Sequence, residues 1–406
     1  MRPSAKGFVR TEHHPFRTCS NFNCPVCAKS IARFKIAPKL GREQFFGNSP
    51  APFVGRFGYP FVNVGILSPP EVTEDAWLYD APQVWSSRDY QIPEIVGFRS
   101  SLINSHSLSH IKSAGKVLEV SREVAMASKP VELEMFLKKK PVLRMSTDSV
   151  SAPMGPSAEV KSVHITSNPK IPFKVEKVYS DTGLRASEAV NYLYRSGFDE
   201  NFLTRILSVG TLGLKSNRKL VPTRWSITAT DDMIGRQLAS AVRDFDACSD
   251  YRLYFGGYLG NYFAVMLFPD VWGYELFETL AGRSDYTTDY EPYEGRRQYV
   301  NETAGGYYAA RLAVLEKLRD IKRQASVLVV RVITDDYTLP LGVWVVRQAV
   351  RKALESSPVS FPSSSPMLKH VSELISASFR HDVSGIFSKS ILLKKFRTQK
   401  KLTSFL

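Results

Sequence analysis

Apolar positions recur along much of this chain with the spacing of secondary structure. Over residues 93–127, Ile95, Val96, Phe98, Leu102 and Ile103 fall at helical intervals, which predicts a helical segment there. Two shorter helices are expected at Ser187–Arg195 and Asp199–Val209, with Gly197 ending the first and Asp199 capping the second. Tyr307, Val314, Leu315, Leu318 and Ile321 share one face of an amphipathic helix over Thr303–Arg323, and Leu341–Leu354 reads as another. Strand signals lie between these. The stretch Gly47–Gly65 alternates β-branched and aromatic residues with turn formers. Residues 251–268 read as a hairpin turned at Gly260-Asn261, and Ala325–Ile333 as a buried strand. Helices and strands mix without a regular βαβ beat, so the expected class is α+β.

Polar and proline-rich stretches divide the chain. A small N-terminal segment (1–40) precedes an α+β region (41–275) and a C-terminal region (276–357). Within Lys138–Pro172 the run RMSTDSVSAPMGPSAEV reads as a connection. PVSFPSSSP (Pro358–Pro366) opens a linker and tail over 358–406. No acidic residue follows Asp382, while Lys389, Lys394, Lys395, Arg397, Lys400 and Lys401 accumulate, so a flexible basic tail is expected.

With 406 residues, 43% hydrophobic and 23% charged, the chain can bury a large core and is not disordered as a whole. The formal charge of +15 makes polyanions the natural partners, DNA or RNA first. Apolar runs such as Val327–Val330 are far short of the ~20 residues a membrane span needs. The first residues carry no hydrophobic stretch fit for a secretory signal. Four cysteines do not make a disulfide scaffold, and the expected compartment is reducing cytoplasm.

Three of those cysteines cluster. Cys19, Cys24 and Cys27 form C-x4-C-P-x-C, and three thiols within nine residues can converge on one zinc ion. A fourth ligand would come from His14, with His13 as the alternative; Cys248 is remote. A full set of protein ligands makes the zinc structural rather than catalytic. Unpaired thiols or a redox pair are the alternatives, and an iron–sulfur cluster would normally take a fourth Cys, so zinc is favoured.

The octapeptide QKKLTSFL reads Gln399-x-x-Leu402-x-x-Phe405-Leu406. It matches the pattern by which peptides dock on the DNA sliding clamp (PCNA), with Leu406 in place of the final aromatic. One helical turn would gather Leu402, Phe405 and Leu406 into an apolar plug, with the Gln amide in a polar niche beside it. A last amphipathic helix packing on its own domain is the alternative.

Residues 213–236 (GLKSNRKLVPTRWSITATDDMIGR) place Arg218, Lys219, Arg224 and Trp225 near Asp231 and Asp232. Cation and aromatic face suit phosphate and a stacked base, and the two aspartates can hold Mg²⁺. The β-favouring Ser226-Ile227-Thr228 suggests a strand, with Arg224 facing a ligand and Trp225 packing inward. Arg218, Asp231, Asp232 and Arg311 would then reach the same cleft. Thr303-Ala304-Gly305-Gly306 opens a helix whose N-terminus is a natural anion site. Asp-Asp as a helix cap and Gly-Gly as packing are the structural alternatives. No P-loop, H-E-x-x-H or G-x-S-x-G is present and no reaction is assigned; an enzyme that binds or hydrolyses nucleotides, or processes damaged nucleic acid, at this Arg/Asp site is the alternative reading.

These blocks, with FVGRFGYPFVNVG, APMGPSA, KVEKVYSDTGLRASEAV and DYEPYEGRRQYVNETAGGYYAARLAVLEKL, resemble the archaeal Nre DNA-repair family over roughly residues 13–355. The resemblance implies a role in DNA-damage repair alongside DNA and other repair proteins, in a cytoplasmic, nucleoid-associated setting. It also implies a terminal clamp-binding motif, here Gln399, Leu402, Phe405 and Leu406. The family's N-terminal four-cysteine zinc motif ends in C-x4-C-P, which Cys19, Cys24 and Pro25 match. Its upstream C-x2-C is absent; His13 or His14 stands near that place, and Cys27 is extra.

Overall fold

Strand pairing organises the first of two units, which runs to Pro172 and takes in Thr338–Gly342. The structure, a computed structural model, describes Ile31 and residues 36–142 and 155–398. Six strands form one sheet: β1 (Gln44–Ser49), β2 (Ala51–Val54), β3 (Phe61–Ser68), β4 (Ile103–His110), β5 (Val131–Leu137) and β6 (Ser157–Ile165). Their order is β1-β5-β6-β4-β3-β2, antiparallel throughout except for β4 beside β6. Among the described residues, α1 (Pro82–Ser87), α2 (Ile92–Ser100) and α3 (Lys116–Met126) accompany them. In β5, Val131, Leu133, Met135 and Leu137 point to the core while Glu132, Glu134 and Phe136 do not, the two-residue period of a strand with one covered face. That face meets Val120 and Val124 of α3 together with Ile66, Ile103 and Val163.

The strands expected in Gly47–Gly65 are present as β1 to β3. The helix expected over 93–127 is not continuous: α2 ends at Ser100, and Leu102-Ile103 enter β4, which pairs with β3 along its whole length. One face of β4 is polar, so its own sequence (INSHSLSH) gives little alternation to read. The connection expected within Lys138–Pro172 likewise contains a strand, β6.

The second unit comprises Phe173–Tyr337 and Val343 onward. Its helices are α4 (Phe173–Ser180), α5 (Ala186–Arg195), α6 (Glu200–Ser208), α7 (Thr223–Val242), α8 (Ala304–Asp320), α9 (Trp344–Glu355), α10 (Ser364–Phe379), α11 (Ser384–Lys389) and α12 (Ile391–Thr398). Its strands β7 (Tyr251–Tyr258), β8 (Asn261–Phe268), β9 (Gly273–Leu280), β10 (Tyr286–Glu291), β11 (Ser326–Ile333) and β12 (Val359–Phe361) form a second sheet ordered β10-β9-β11-β8-β7-β12. This α+β class agrees with the sequence reading. The caps agree as well: the Asp199 carboxylate accepts from the Phe202 N–H at 2.7 Å, and Gly197 sits at φ +93° after α5. The β7–β8 hairpin turns at Leu259-Gly260, one residue earlier than expected. Both residues have positive φ, as a type I′ turn requires, and a Cβ on Gly260 would lie 2.5 Å from the Tyr337 nitrogen.

Strands β8 and β11 are apolar on both faces because both are covered. Helix α9 packs on β7 and β8. On the other side Met367, Val371, Ile375, Ile386, Phe387, Leu392 and Leu393 of α10 to α12 bury Leu253, Met266, Phe268, Phe277, Leu328 and Val330. This corrects the expected linker and mobile tail as far as Thr398. Val359–Phe361 is an edge strand on β7, and α10 to α12 form a layer of the core. The apolar residues spaced among the late lysines serve that layer. Glu275, fully buried on β9, fixes its end: it accepts from the Ser390 hydroxyl at 2.5 Å and from the Ile391 and Leu392 N–H groups at 2.9 and 3.0 Å. A strand carboxylate thus caps α12.

No described helix is long and apolar enough to cross a membrane. The 40/41 and 275/276 boundaries read from the sequence do not coincide with the division after Pro172.

Candidate functional site

Pro222 stands immediately before α7, and the segment read as a strand is the first turn of a twenty-residue helix. Ser226, Thr230, Ile234, Leu238 and Val242 recur every four residues on its buried side, with Asp231, Gly235 and Ala239 beside them. That stripe packs on α6 and α8, and tertiary burial overrides the β preference of Ser226-Ile227-Thr228. Arg224 and Trp225 both lie exposed near the helix start, Trp225 at 46%, so Trp225 does not pack inward as expected.

Asp231 and Asp232 part company. Asp231 is sealed in the core, both carboxylate oxygens 2.6 Å from Nη1 of Arg347. Arg347 also donates to Glu200 at 2.9 Å, and Arg351 bridges Glu200 and Glu316 at 2.9 Å each. The Tyr194 hydroxyl donates to Glu316 at 2.5 Å. Burial pushes the Asp231 carboxyl up to about 7 against the pull of Arg347. Burial also opposes the charge on Glu200, but Arg347 and Arg351 prevail and hold it well below the usual glutamate range. Asp231 is therefore part of a closed ion-pair network, and the Asp231-Asp232 pair does not present two carboxylates to one Mg²⁺. Among the described residues no group of three or more His, Cys, Asp or Glu side chains is placed to share a metal.

Asp232 points the other way, into a cleft of about 130 Å³ between α7, α8 and the turn after β10. Arg236 and Arg243 reach it from α7, Arg296 from the turn and Arg311 from α8. Asp232 pairs with Arg236 at 2.8 Å. Arg243 lies over the Tyr293 ring at 5.3 Å, and Arg296 over Tyr307 at 5.8 Å. Arg296 also donates to the Tyr290 carbonyl at 2.8 Å. Arg311, 5% exposed, forms the floor and donates from Nη2 to Glu291 at 2.7 Å. Gly235 makes room for it: a Cβ there would fall 2.6 Å from Nη1 of Arg311. Glu291 accepts further from Tyr307 at 2.7 Å and from Trp272 at 3.2 Å. Burial works against its charge, but Arg311 and these donors outweigh it and lower the pKa.

The Nε atoms of Arg243, Arg296 and Arg311 are buried and have no hydrogen-bond partner. A buried donor left unmade is costly, and these three belong to arginines that line one small cleft. Guanidinium forks converging on such a space suit an oxyanion, phosphate above all.

The other expected site residues fall elsewhere. Arg218 donates to the carbonyls of Gly213, Tyr179 and Asp181 at 2.8, 2.7 and 3.0 Å, and so braces a loop. The anion position expected at Thr303–Gly306 is filled by the chain itself. Asp289 accepts from the Glu302 and Thr303 N–H groups at 3.1 and 2.9 Å and from the Thr303 hydroxyl at 2.8 Å. Of the five residues expected in one cleft, the structure brings together Asp232 and Arg311. Sequence reading missed Arg236, Arg243 and Arg296. The spacing 232, 236, 239, 243 marks one helical stripe once α7 is read as a helix. Cys19, Cys24, Cys27, His13 and His14, and the motif Gln399, Leu402, Phe405 and Leu406, lie outside the described residues.

The model of the N-terminal region of archaeal Nre proteins matches residues 18–287, and that of the C-terminal region matches residues 291–405. A protein of Haloferax volcanii named DNA repair protein NreA is 39% identical over 354 residues, 83% of this chain and 84% of its own length. In Archaeoglobus fulgidus, DNA repair protein NreB is 36% identical over 398 residues, covering 96% of this chain and 97% of that one. The NreA of the same organism is 38% identical over 356 residues, 85% and 88% of the two chains. No solved structure matches.

Proposed function

The chain belongs to the archaeal Nre family, and from that premise we propose that it acts in DNA repair. It binds DNA at the arginine cleft and docks on the sliding clamp through Gln399, Leu402, Phe405 and Leu406. The observation that carries the repair role is the name DNA repair protein borne by relatives at 36–39% identity over most of the chain. The net charge of +15 and the unpartnered guanidinium donors supply the physical basis for holding a phosphate backbone. A structural zinc held by Cys19, Cys24, Cys27 and His14, or His13 in its place, completes the proposal.

The clamp step has a direct test. Leu402→Ala with Phe405→Ala should abolish capture by the clamp in a pull-down and leave melting unchanged. Three apolar side chains at ~1.5–3 kcal/mol each, before ordering costs, suit micromolar affinity. Undiminished capture by the double variant removes the motif from the proposal.

A further inference from the structure

The first unit carries a feature that phosphate binding does not use. Strands β2 and β3 are joined by Gly55–Pro60 (GRFGYP), held as a turn by Gly55 N–H to the Asn63 carbonyl at 2.8 Å and Phe61 N–H to the Gly58 carbonyl at 2.8 Å. Gly58 takes φ +80°, where a Cβ would meet the Phe61 carbonyl at 2.7 Å, so the tip has a specified shape. Val54, Val62, Val64 and Ile66 are buried on the inner side. The outer residues are not: Phe57 is 80% exposed, Phe61 54%, Tyr59 42%, and Leu108 on the adjoining β4 65%. A fold that covers its valines and leaves three rings at one hairpin tip in water is presenting those rings.

Charge says to what. The guanidinium of Arg56 lies over the Phe57 ring at 4.8 Å, and His110 packs edge-on to Phe61 at 5.2 Å. No Asp or Glu occurs in residues 51–70 or 101–118, which carry Arg56, Lys112 and Lys116, and Glu159 of β6 lies opposite His106, farther along β4 from the tip. Flat aromatic faces beside Arg56 and Lys112 are what stacks unpaired bases beside a polyanionic backbone. An apolar protein partner would be served equally by aliphatic side chains and has no use for that charge.

We propose that the β2–β3 hairpin is a stacking finger for single-stranded DNA, with Phe57 and Tyr59 as its platform and Arg56 and Lys112 as its phosphate contacts. This rests on the DNA-repair reading above and adds to it a preference for unpaired bases, on a unit separate from the arginine cleft.

The test uses the full chain and three probes: oligothymidylate, the same strand in a duplex, and oligouridylate. A fourth probe carries 2-aminopurine, whose fluorescence reports stacking. The wild type should prefer the single DNA strand, and Phe57→Ala with Tyr59→Ala should weaken it about tenfold or more, the worth of at least one stacked base. Phe57→Trp should retain binding, and Phe57→Leu should weaken it, though less than the double variant. All of these positions are exposed, and equal melting temperatures confirm that the variants fold. If the chain binds DNA but the double variant binds as well and leaves 2-aminopurine unchanged, the finger is wrong while the DNA reading stands. Absence of affinity for any DNA overturns both. Wild-type affinity in Phe57→Leu converts the tip into an apolar protein contact, and tighter binding of oligouridylate removes the DNA assignment.

Discussion

Asp231 and Asp232 are neighbours on one helix and end in opposite surroundings. Asp231 joins Glu200, Arg347, Arg351 and Glu316 in a network where each carboxylate meets a guanidinium within the fold. Asp232 borders a cleft where Arg243, Arg296 and Arg311 keep donors without acceptors. Successive helical residues point about 100° apart, so one step along α7 crosses from scaffold to surface. The difference teaches how to tell a structural charge cluster from a binding one. In the first, every ionised group finds its partner within the fold. In the second, the Nε atoms of Arg243, Arg296 and Arg311 stay without a hydrogen-bond partner, although Arg296 and Arg311 are each ion-paired with a carboxylate.

The sealed network offers the largest test. Arg347→Met leaves Glu200 and Asp231 buried together without their shared cation, and should cost roughly 3–5 kcal/mol in chemical denaturation. A loss below about 1 kcal/mol, no more than an exposed pair contributes, would mean that the cluster is not closed. Next comes the cleft. Arg243→Ala and Arg296→Ala should each weaken binding of inorganic phosphate or a DNA backbone about tenfold, ~1.4 kcal/mol. Arg224→Ala, on the exposed first turn of α7, should leave it unchanged. Equal losses at Arg224 would erase the distinction between the cleft and the basic surface at large.

The smallest effect is on pH. Glu291 has a folded pKa below its ordinary value of 4.5. Its contribution to stability is therefore complete above that value and is lost as pH falls through the lower, folded one. Glu291→Gln should flatten this acid limb, measured as stability against pH, while phosphate binding at neutral pH persists through the arginines. An unaltered acid limb would take Glu291 out of the account.

Much of the second unit was legible in the sequence. Strand β11, the caps at Gly197 and Asp199, and α8 and α9 carry strong local signals, because both faces or one clean stripe are buried. Strand β4 was not, since its polar open face leaves no alternation, and its pairing with β3 joins residues about forty positions apart. Helix α7 was misread because Ser226-Ile227-Thr228 favours a strand locally and its partners lie on other elements. The cleft was only half visible. Arg311 and Asp232 were singled out, but the role of Gly235 depends on a side chain 76 positions away, and that of Thr303 on a carboxylate of β10. Burial of Asp231 turned a candidate ligand into a brace.

Glu275 sets a distance. By capping α12 from within the sheet it fixes where Thr398 stands, and Leu406 is eight residue steps beyond that point. A polypeptide extends at most ~3.3–3.6 Å per residue, so whatever shape those eight take, Leu406 lies within roughly 29 Å of Thr398. On the proposed docking, a ring captured by Gln399–Leu406 would be held within that reach of the α10–α12 layer. Lengthening the chain ahead of Gln399 would extend that reach without touching a single contact of the plug.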